Sequence, residues 1–211
     1  MIRFYFDYVS PYAYLASTQI ESLAKRHGHE LVLEPVLFAG LLGASGAKGP
    51  AEIPLRREYM FRDVVRLAAW LEVPIAPPAS HPFNPLAALR ITLAAEPADR
   101  ARLMHALFRA AWVESRAIEQ GESVAEIASA IGLDGAALLA RSVTLKDALR
   151  IATETAVEAK IFGVPSFVVN GELFWGVDSF GLLHRFLSGV APHDEAQHER
   201  FLALAPTATR R

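Results

Sequence analysis

Phe4-Tyr5-Phe6-Asp7-Tyr8-Val9-Ser10-Pro11-Tyr12-Ala13-Tyr14 is the stretch on which the fold turns. Upstream of Asp7, Ile2 to Phe6 set apolar and aromatic residues around Arg3, the pattern of a buried strand. Downstream, Pro11 suits the first position of a helix, where its missing N–H costs nothing, and Ser10 stands before it as N-cap. Tyr14, Leu15, Ile20 and Leu23 then keep one helical face apolar. A hydroxyl is thereby delivered to a strand–helix junction, where free N–H groups and the positive end of the helix dipole favour an anion. Read locally, Ser10 is first of all a plain helix cap, since serine caps helices routinely.

Working outward, the first helix should end near His27-Gly28-His29, and Glu30 to Phe38 reads as a second strand. Strand, crossover helix and strand of this length form a right-handed parallel βαβ unit. Strand patterns then vanish for a long interval. Leu41 to Pro50 reads as a Gly-rich loop; no G-K-[ST] follows it, so it is not a phosphate loop. Helices are expected over Leu55–Leu71, Leu86–Ala95, Pro97–Val113, Ser123–Ile131 and Asp134–Arg141, with Trp70 and Trp112 in their core. Between the first two lies Val73–Pro85, whose Pro74, Pro77, Pro78, Pro82 and Pro85 demand an irregular crossing.

A long amphipathic helix over Thr144–Lys160 leads into Ile161 to Gly176, read as strand, Asn170-Gly171 turn and strand. Asp178-Ser179 should cap a final helix, followed by a charged tail with a peripheral helix over Asp194–Leu204. The order β-α-β, helical insert, α-β-β-α is a thioredoxin-like α/β topology. Its expected divisions are 1–38 with 143–190 as the thioredoxin-like domain, 39–142 as the inserted helical subdomain and 191–211 as a tail.

Composition excludes several functions. The chain has 211 residues, 52% of them hydrophobic, and a net charge of −2. No Lys/Arg-rich run offers a phosphate stripe, and Arg210-Arg211 is too short to count, so no nucleic-acid partner is expected. No apolar run reaches the ~18 residues of a membrane span, and no secretory signal is evident, so a cytoplasmic location without membrane association is expected. With no cysteine, the chain has no disulfide chemistry or thiol nucleophile of its own. His27, His29, His105, His184, His193 and His198 read as isolated, and no metal site is expected.

Three segments carry a resemblance. Asp7 to Tyr14, Phe162-Gly163-Val164-Pro165-Ser166-Phe167 and Gly171 to Asp178 resemble 2-hydroxychromene-2-carboxylate isomerases, of DsbA-like thioredoxin fold and related to kappa-class glutathione transferases. The resemblance spans nearly the whole chain and implies glutathione as cofactor. Ser10, beside Pro11, would donate to the glutathione sulfur and favour thiolate. Val164, before a cis Pro165, would pair with the cysteinyl backbone as an added strand. Asp178 and Ser179 would hold the γ-glutamyl ammonium and carboxylate, and Arg56 the glycyl carboxylate. Asn84 and Trp175 would line the second-substrate pocket. Most of these residues also have plainer readings: Pro165 as an ordinary trans proline at a strand start, Asp178-Ser179 as a helix cap, Arg56 as part of a solvated face beside Arg57 and Glu58, Asn84 as a turn residue before Pro85, and Trp175 as core packing.

The activity implied is glutathione-dependent cis–trans isomerisation between 2-hydroxychromene-2-carboxylate and trans-o-hydroxybenzylidenepyruvate, or a close aromatic-carboxylate analogue, in a homodimer. Two other activities stay open: a kappa-like glutathione transferase or peroxidase, and a non-catalytic peptide-binding thioredoxin-fold protein using the Val164 edge.

Overall fold

β1 (Ile2–Phe6) sits inside a four-stranded sheet of order β2-β1-β3-β4. A computed structural model describes residues 1–207; Arg210 and Arg211 lie outside the described residues. β1 pairs in parallel with β2 (Leu31–Pro35) and antiparallel with β3 (Ser166–Val169), which pairs antiparallel with β4 (Glu172–Trp175). α1 (Pro11–Arg26) makes the crossover. The second strand is shorter than the sequence pattern promised, because Phe38 already opens a helix.

The two-residue period of β1 sorts its side chains between two cores. Ile2, Phe4 and Phe6 are fully buried in the main core, while Tyr5 joins Val36, Leu41, Ala156, Ile161 and Val164 on the other face. Arg3 pairs with Glu34 at the partly exposed position between them. The Asn170-Gly171 turn closes the β3–β4 hairpin with φ of 51° and 86°, the left-handed pair that a type I′ turn requires.

Between β2 and β3 run α2 (Phe38–Ser45), α3 (Pro54–Trp70), α4 (Leu86–Ala94), α5 (Pro97–Trp112), α6 (Gly121–Ala130), α7 (Gly135–Ser142) and α8 (Lys146–Glu158). α2 corrects the loop expected over Leu41–Pro50: Leu41 is buried against the sheet, and only the stretch after Ser45 is irregular until a short 3-10 turn at Pro50–Glu52. Trp112 is 1% exposed, as expected, but Trp70 is 78% exposed. It ends α3 on the face opposite Met60, Val64 and Ala68, which are buried. The helical block has no core separate from the sheet. Leu89, Phe108 and Trp112 share one apolar cluster with Phe4, Phe6 and Phe167, and the Phe108 ring lies tilted against Phe6 at 5.8 Å and Tyr8 at 4.8 Å.

After β4, a 3-10 turn at Val177–Ser179 packs on α1 and leads into α9 (Phe180–Leu187); α10 (Glu195–Leu202) follows in the tail. Asp194 caps α10 by accepting from Gln197 N. No helix among the described residues is long and apolar enough to cross a membrane.

Candidate functional site

Two segments 154 residues apart in the chain meet at the mouth of the sheet. Ser10 has the extended backbone of an N-cap (φ −91°, ψ 114°), and its Oγ accepts from Ala13 N at 3.2 Å. The same hydroxyl donates across the gap to the Val164 carbonyl at 3.4 Å, a long bond whose hydrogen is easily redirected. Ser10 and Val164 are each only 7% exposed, and the Val164–Pro165 bond is cis. Because Pro11 has no N–H and Ala13 and Tyr14 donate to Ser10, Tyr12 N–H is the free donor of the first helical turn among the described residues. Val164 N–H likewise has no partner among the described residues.

The third wall is the turn after β4. Gly176 sits at φ 90°, donates to the Pro165 carbonyl at 2.9 Å, and has no room for a Cβ, which would stand 2.3 Å from Asp178 Oδ1. The Asp178 carboxylate is exposed above this turn and takes no ion-pair partner among the described residues. Ser179 corrects an expectation: it occupies the N-cap position of α9, but its hydroxyl donates to Gly176 O at 2.7 Å and caps no helical N–H. Trp175 also departs from core packing. It is 55% exposed, its ring 5.0 Å from Phe162, and its Nε1 lies so close over Gly163 that a Cβ there would stand 2.6 Å away.

Ser10, Pro11, Val164 and Pro165 are therefore brought together, with Trp175 beside Gly163 and the Asp178–Ser179 turn against α1. Arg56 and Asn84 make no hydrogen bond or ion pair with these residues among the described ones. Arg56 is exposed and makes no hydrogen bond or ion pair among the described residues. The neighbouring Arg57 instead lies over the Phe61 ring at 4.9 Å and reaches the His81 carbonyl at 3.4 Å. Asn84 takes the turn role: its Oδ1 accepts from Leu86 N at 3.1 Å and organises entry into α4.

Residues without an assigned part in the sequence reading hold the Ser10 loop. Asp7 is 1% exposed, and its carboxylate accepts from Val9 N at 3.1 Å and Phe38 N at 2.8 Å. Burial pushes the Asp7 carboxyl up to about 7, against the pull of those N–H groups. Tyr8 OH meets Thr92 Oγ1 at 2.7 Å; Trp112 Nε1 donates to Tyr8 O at 2.8 Å, and His81 Nε2 to Val9 O at 3.0 Å. Tyr12 OH donates to Asp63 at 2.9 Å; burial and that bond push the phenol well above its ordinary range, and the Tyr59 and Asp178 charges add to the effect. Apart from Val9 N, these partners lie 28 to over 100 positions from the loop, and no local spacing signals them.

The histidines are less isolated than the sequence implied. His27 Nε2 and His184 Nδ1 are 2.9 Å apart, and ligand atoms of His193, Glu195 and His198 lie within 4.8 Å of one another on the exposed tail.

Chemically, the mouth offers a hydroxyl donor, two free N–H groups, one carbonyl acceptor and a nearby carboxylate, and no sulfur. It suits an anionic atom at Ser10 joined to an extended peptide-like chain at Val164.

A thioredoxin fold with serine where a thiol would stand defines the class. The DSBA-like thioredoxin domain matches residues 1–188. A 2-hydroxychromene-2-carboxylate isomerase of Sphingobium xenophagum is 30% identical over 88% of this chain and 97% of its own length. The human glutathione S-transferase kappa 1 is 26% identical over 88% and 90% of the two chains. Among solved structures, a 2-hydroxychromene-2-carboxylate isomerase superposes with a TM-score of 0.81 at 23% identity, covering 96% of this chain and 99% of that one. The cytosolic disulfide reductase DsbM of Pseudomonas aeruginosa, solved with GSH, gives 0.63 at 20% identity, covering 96% and 99%. The chain belongs to the DSBA-like thioredoxin family, in its 2-hydroxychromene-2-carboxylate isomerase branch.

Proposed function

We propose that the protein is a cytoplasmic, glutathione-dependent isomerase of an aromatic carboxylate of the 2-hydroxychromene-2-carboxylate type. The observation that carries this reading is the 3.4 Å approach of Ser10 Oγ to the Val164 carbonyl in a chain without cysteine. A site that presents donors but no sulfur needs its thiol from outside. Glutathione laid along Val164 places its sulfur at Ser10, whose hydroxyl turns from the carbonyl to the thiolate. The Asp178 carboxylate accepts from the γ-glutamyl ammonium, and the polar turn at Ser179 receives the adjoining carboxylate.

The thiolate adds to the conjugated carbon of the ring-opened cis substrate, and the π electrons move onto the ketone as an enolate. The former double bond is now single and rotates. Collapse of the enolate expels the thiolate and leaves the trans double bond, with no net change in glutathione. The protein holds the thiolate, orients the acceptor and stabilises the enolate. The kappa transferase relative favours a second reading, conjugation of electrophiles by the same bound thiolate.

Ser10→Ala tests the proposal. Its fold should survive with a cap's loss of about 0.5–2 kcal/mol. The bound thiol should titrate at higher pH, so thiolate absorbance and isomerase rate at neutral pH should fall together and partly recover in alkali. Unchanged titration and rate would reduce Ser10 to a cap. Turnover of a halogenated aromatic without isomerisation of a benzylidenepyruvate would select the transferase, and no glutathione-dependent turnover at all would select a peptide-binding protein. A homodimer, the assembly the family resemblance implies, is checked by light scattering.

A further inference from the structure

The peptide unit joining Val9 to Ser10 is held at both of its polar atoms. Its N–H donates to Asp7 O at 3.1 Å, and its carbonyl receives His81 Nε2 at 3.0 Å. A carbonyl only accepts, so Nε2 carries the imidazole hydrogen and Nδ1 is a bare lone pair. That Nδ1 is buried without a partner among the described residues, an uncommon condition in a folded protein. The ring stands edge-on to Phe61 at 5.3 Å and Trp112 at 5.6 Å, and Arg57 reaches its backbone carbonyl. Burial and the Arg57 charge lower the imidazole pKa below its usual 6.5, against the Val9 bond, which raises it. Nothing around Nδ1 rewards a second proton.

We propose that His81 is a positioning residue for the thiolate site: a neutral Nε2–H imidazole that fixes the Val9–Ser10 peptide plane and so aims the Ser10 hydroxyl. The physical reason is leverage. Ser10 Oγ is held only by bonds of 3.2 and 3.4 Å, so its place is set mainly by the backbone that carries it. Rotation of the Val9–Ser10 peptide changes φ at Ser10 and swings that hydroxyl away from the sulfur position. The Asp7 bond alone leaves the carbonyl side free to tilt. His81 acts from the proline-dense crossing between α3 and α4, so the helical block itself sets the geometry of the hydroxyl. The inference rests on the proposed use of Ser10 as a thiolate donor.

The experiment compares His81→Phe, which keeps an aromatic ring without the donor, with His81→Gln, which restores an amide N–H at about the reach of Nε2. In His81→Phe the bound-glutathione thiol should titrate about one pH unit higher, with turnover down roughly tenfold and the apparent glutathione constant within about threefold. His81→Gln should recover most of both losses. A purely structural role predicts a lower melting temperature with an unshifted thiol titration, and that result, or a Gln variant as impaired as Phe, overturns the proposal. A second arm needs no glutathione: hydrogen exchange at the Ser10 amide should quicken in His81→Phe and not in His81→Gln. If the wild type shows no thiolate with glutathione, the proposed function fails; the exchange arm then still decides whether His81 holds this peptide.

Discussion

The loop Asp7–Ser10 and the segment Gly163–Ser179 face each other across the site and are held in opposite ways. The second, beyond the pairing of β3 with β1 and the Ser10 contact at Val164, is tied to itself. Ser166 Oγ donates to Gly163 O at 2.7 Å, Gly176 N to Pro165 O at 2.9 Å, and Ser179 Oγ to Gly176 O at 2.7 Å. The first loop keeps only its bonds from Val9 N and Ser10 N to Asp7 within itself and draws the rest from elsewhere: Phe38 N on Asp7, Thr92 and Trp112 on Tyr8, and His81 on Val9. All four partners lie in the block between β2 and β3, Phe38 at its first helical position. A segment that closes on itself tolerates change in the block, whereas the Ser10 loop depends on it. The block is thus the clamp on the loop that carries the hydroxyl.

The largest expected break in this contrast is Trp112→Ala. It removes a side chain that is 1% exposed together with the Nε1 donor to Tyr8, and should cost about 3–5 kcal/mol in denaturant unfolding. Hydrogen exchange should then rise at residues 8–10 and stay unchanged at 166–176. Equal loosening of both segments would refute the asymmetry.

Asp7 supplies the next effect, through pH. Its folded-state carboxyl, raised to about 7 from an ordinary 3.8, favours the protonated protein. That contribution is full below pH ~4 and is lost as pH rises through about 7, so the denaturation midpoint should be lower at pH 8 than at pH 5. Asp7→Asn should flatten this slope. It should also cost about 1–3 kcal/mol at pH 5, because the amide turns a donor toward an N–H that is itself a donor. A midpoint that rises between pH 5 and pH 8 in the wild type, and not in the variant, would reverse the assignment.

Gly163→Ala sharpens the comparison from the other side with the smallest effect. The new Cβ meets Trp175 Nε1 at 2.6 Å, and the indole is exposed enough to swing aside. Stability should change by less than about 1 kcal/mol. Tryptophan emission should shift as the ring leaves Phe162, and the Ser10 loop should keep its exchange rates. A loss several times larger would show that the indole is locked in place.

Features held by neighbours in sequence were legible before any coordinates. β1 follows from its two-residue period, and the start of α1 from Ser10-Pro11. The hairpin follows from Asn170-Gly171, and the absence of an internal thiol from composition. Where one residue admits two local roles, the sequence left the choice open or leaned the wrong way. Asn84 organises the turn into α4, and Trp70 and Trp175 lie outside the core. α2 escaped notice because its short Gly-rich helix is held by burial of Leu41 on the sheet rather than by propensity. Only tertiary structure could place His81, Thr92 and Trp112 on the Ser10 loop. A hydrogen bond from a side chain to a distant carbonyl has no period, cap or spacing in sequence; it exists only once packing has brought the two segments within 3 Å.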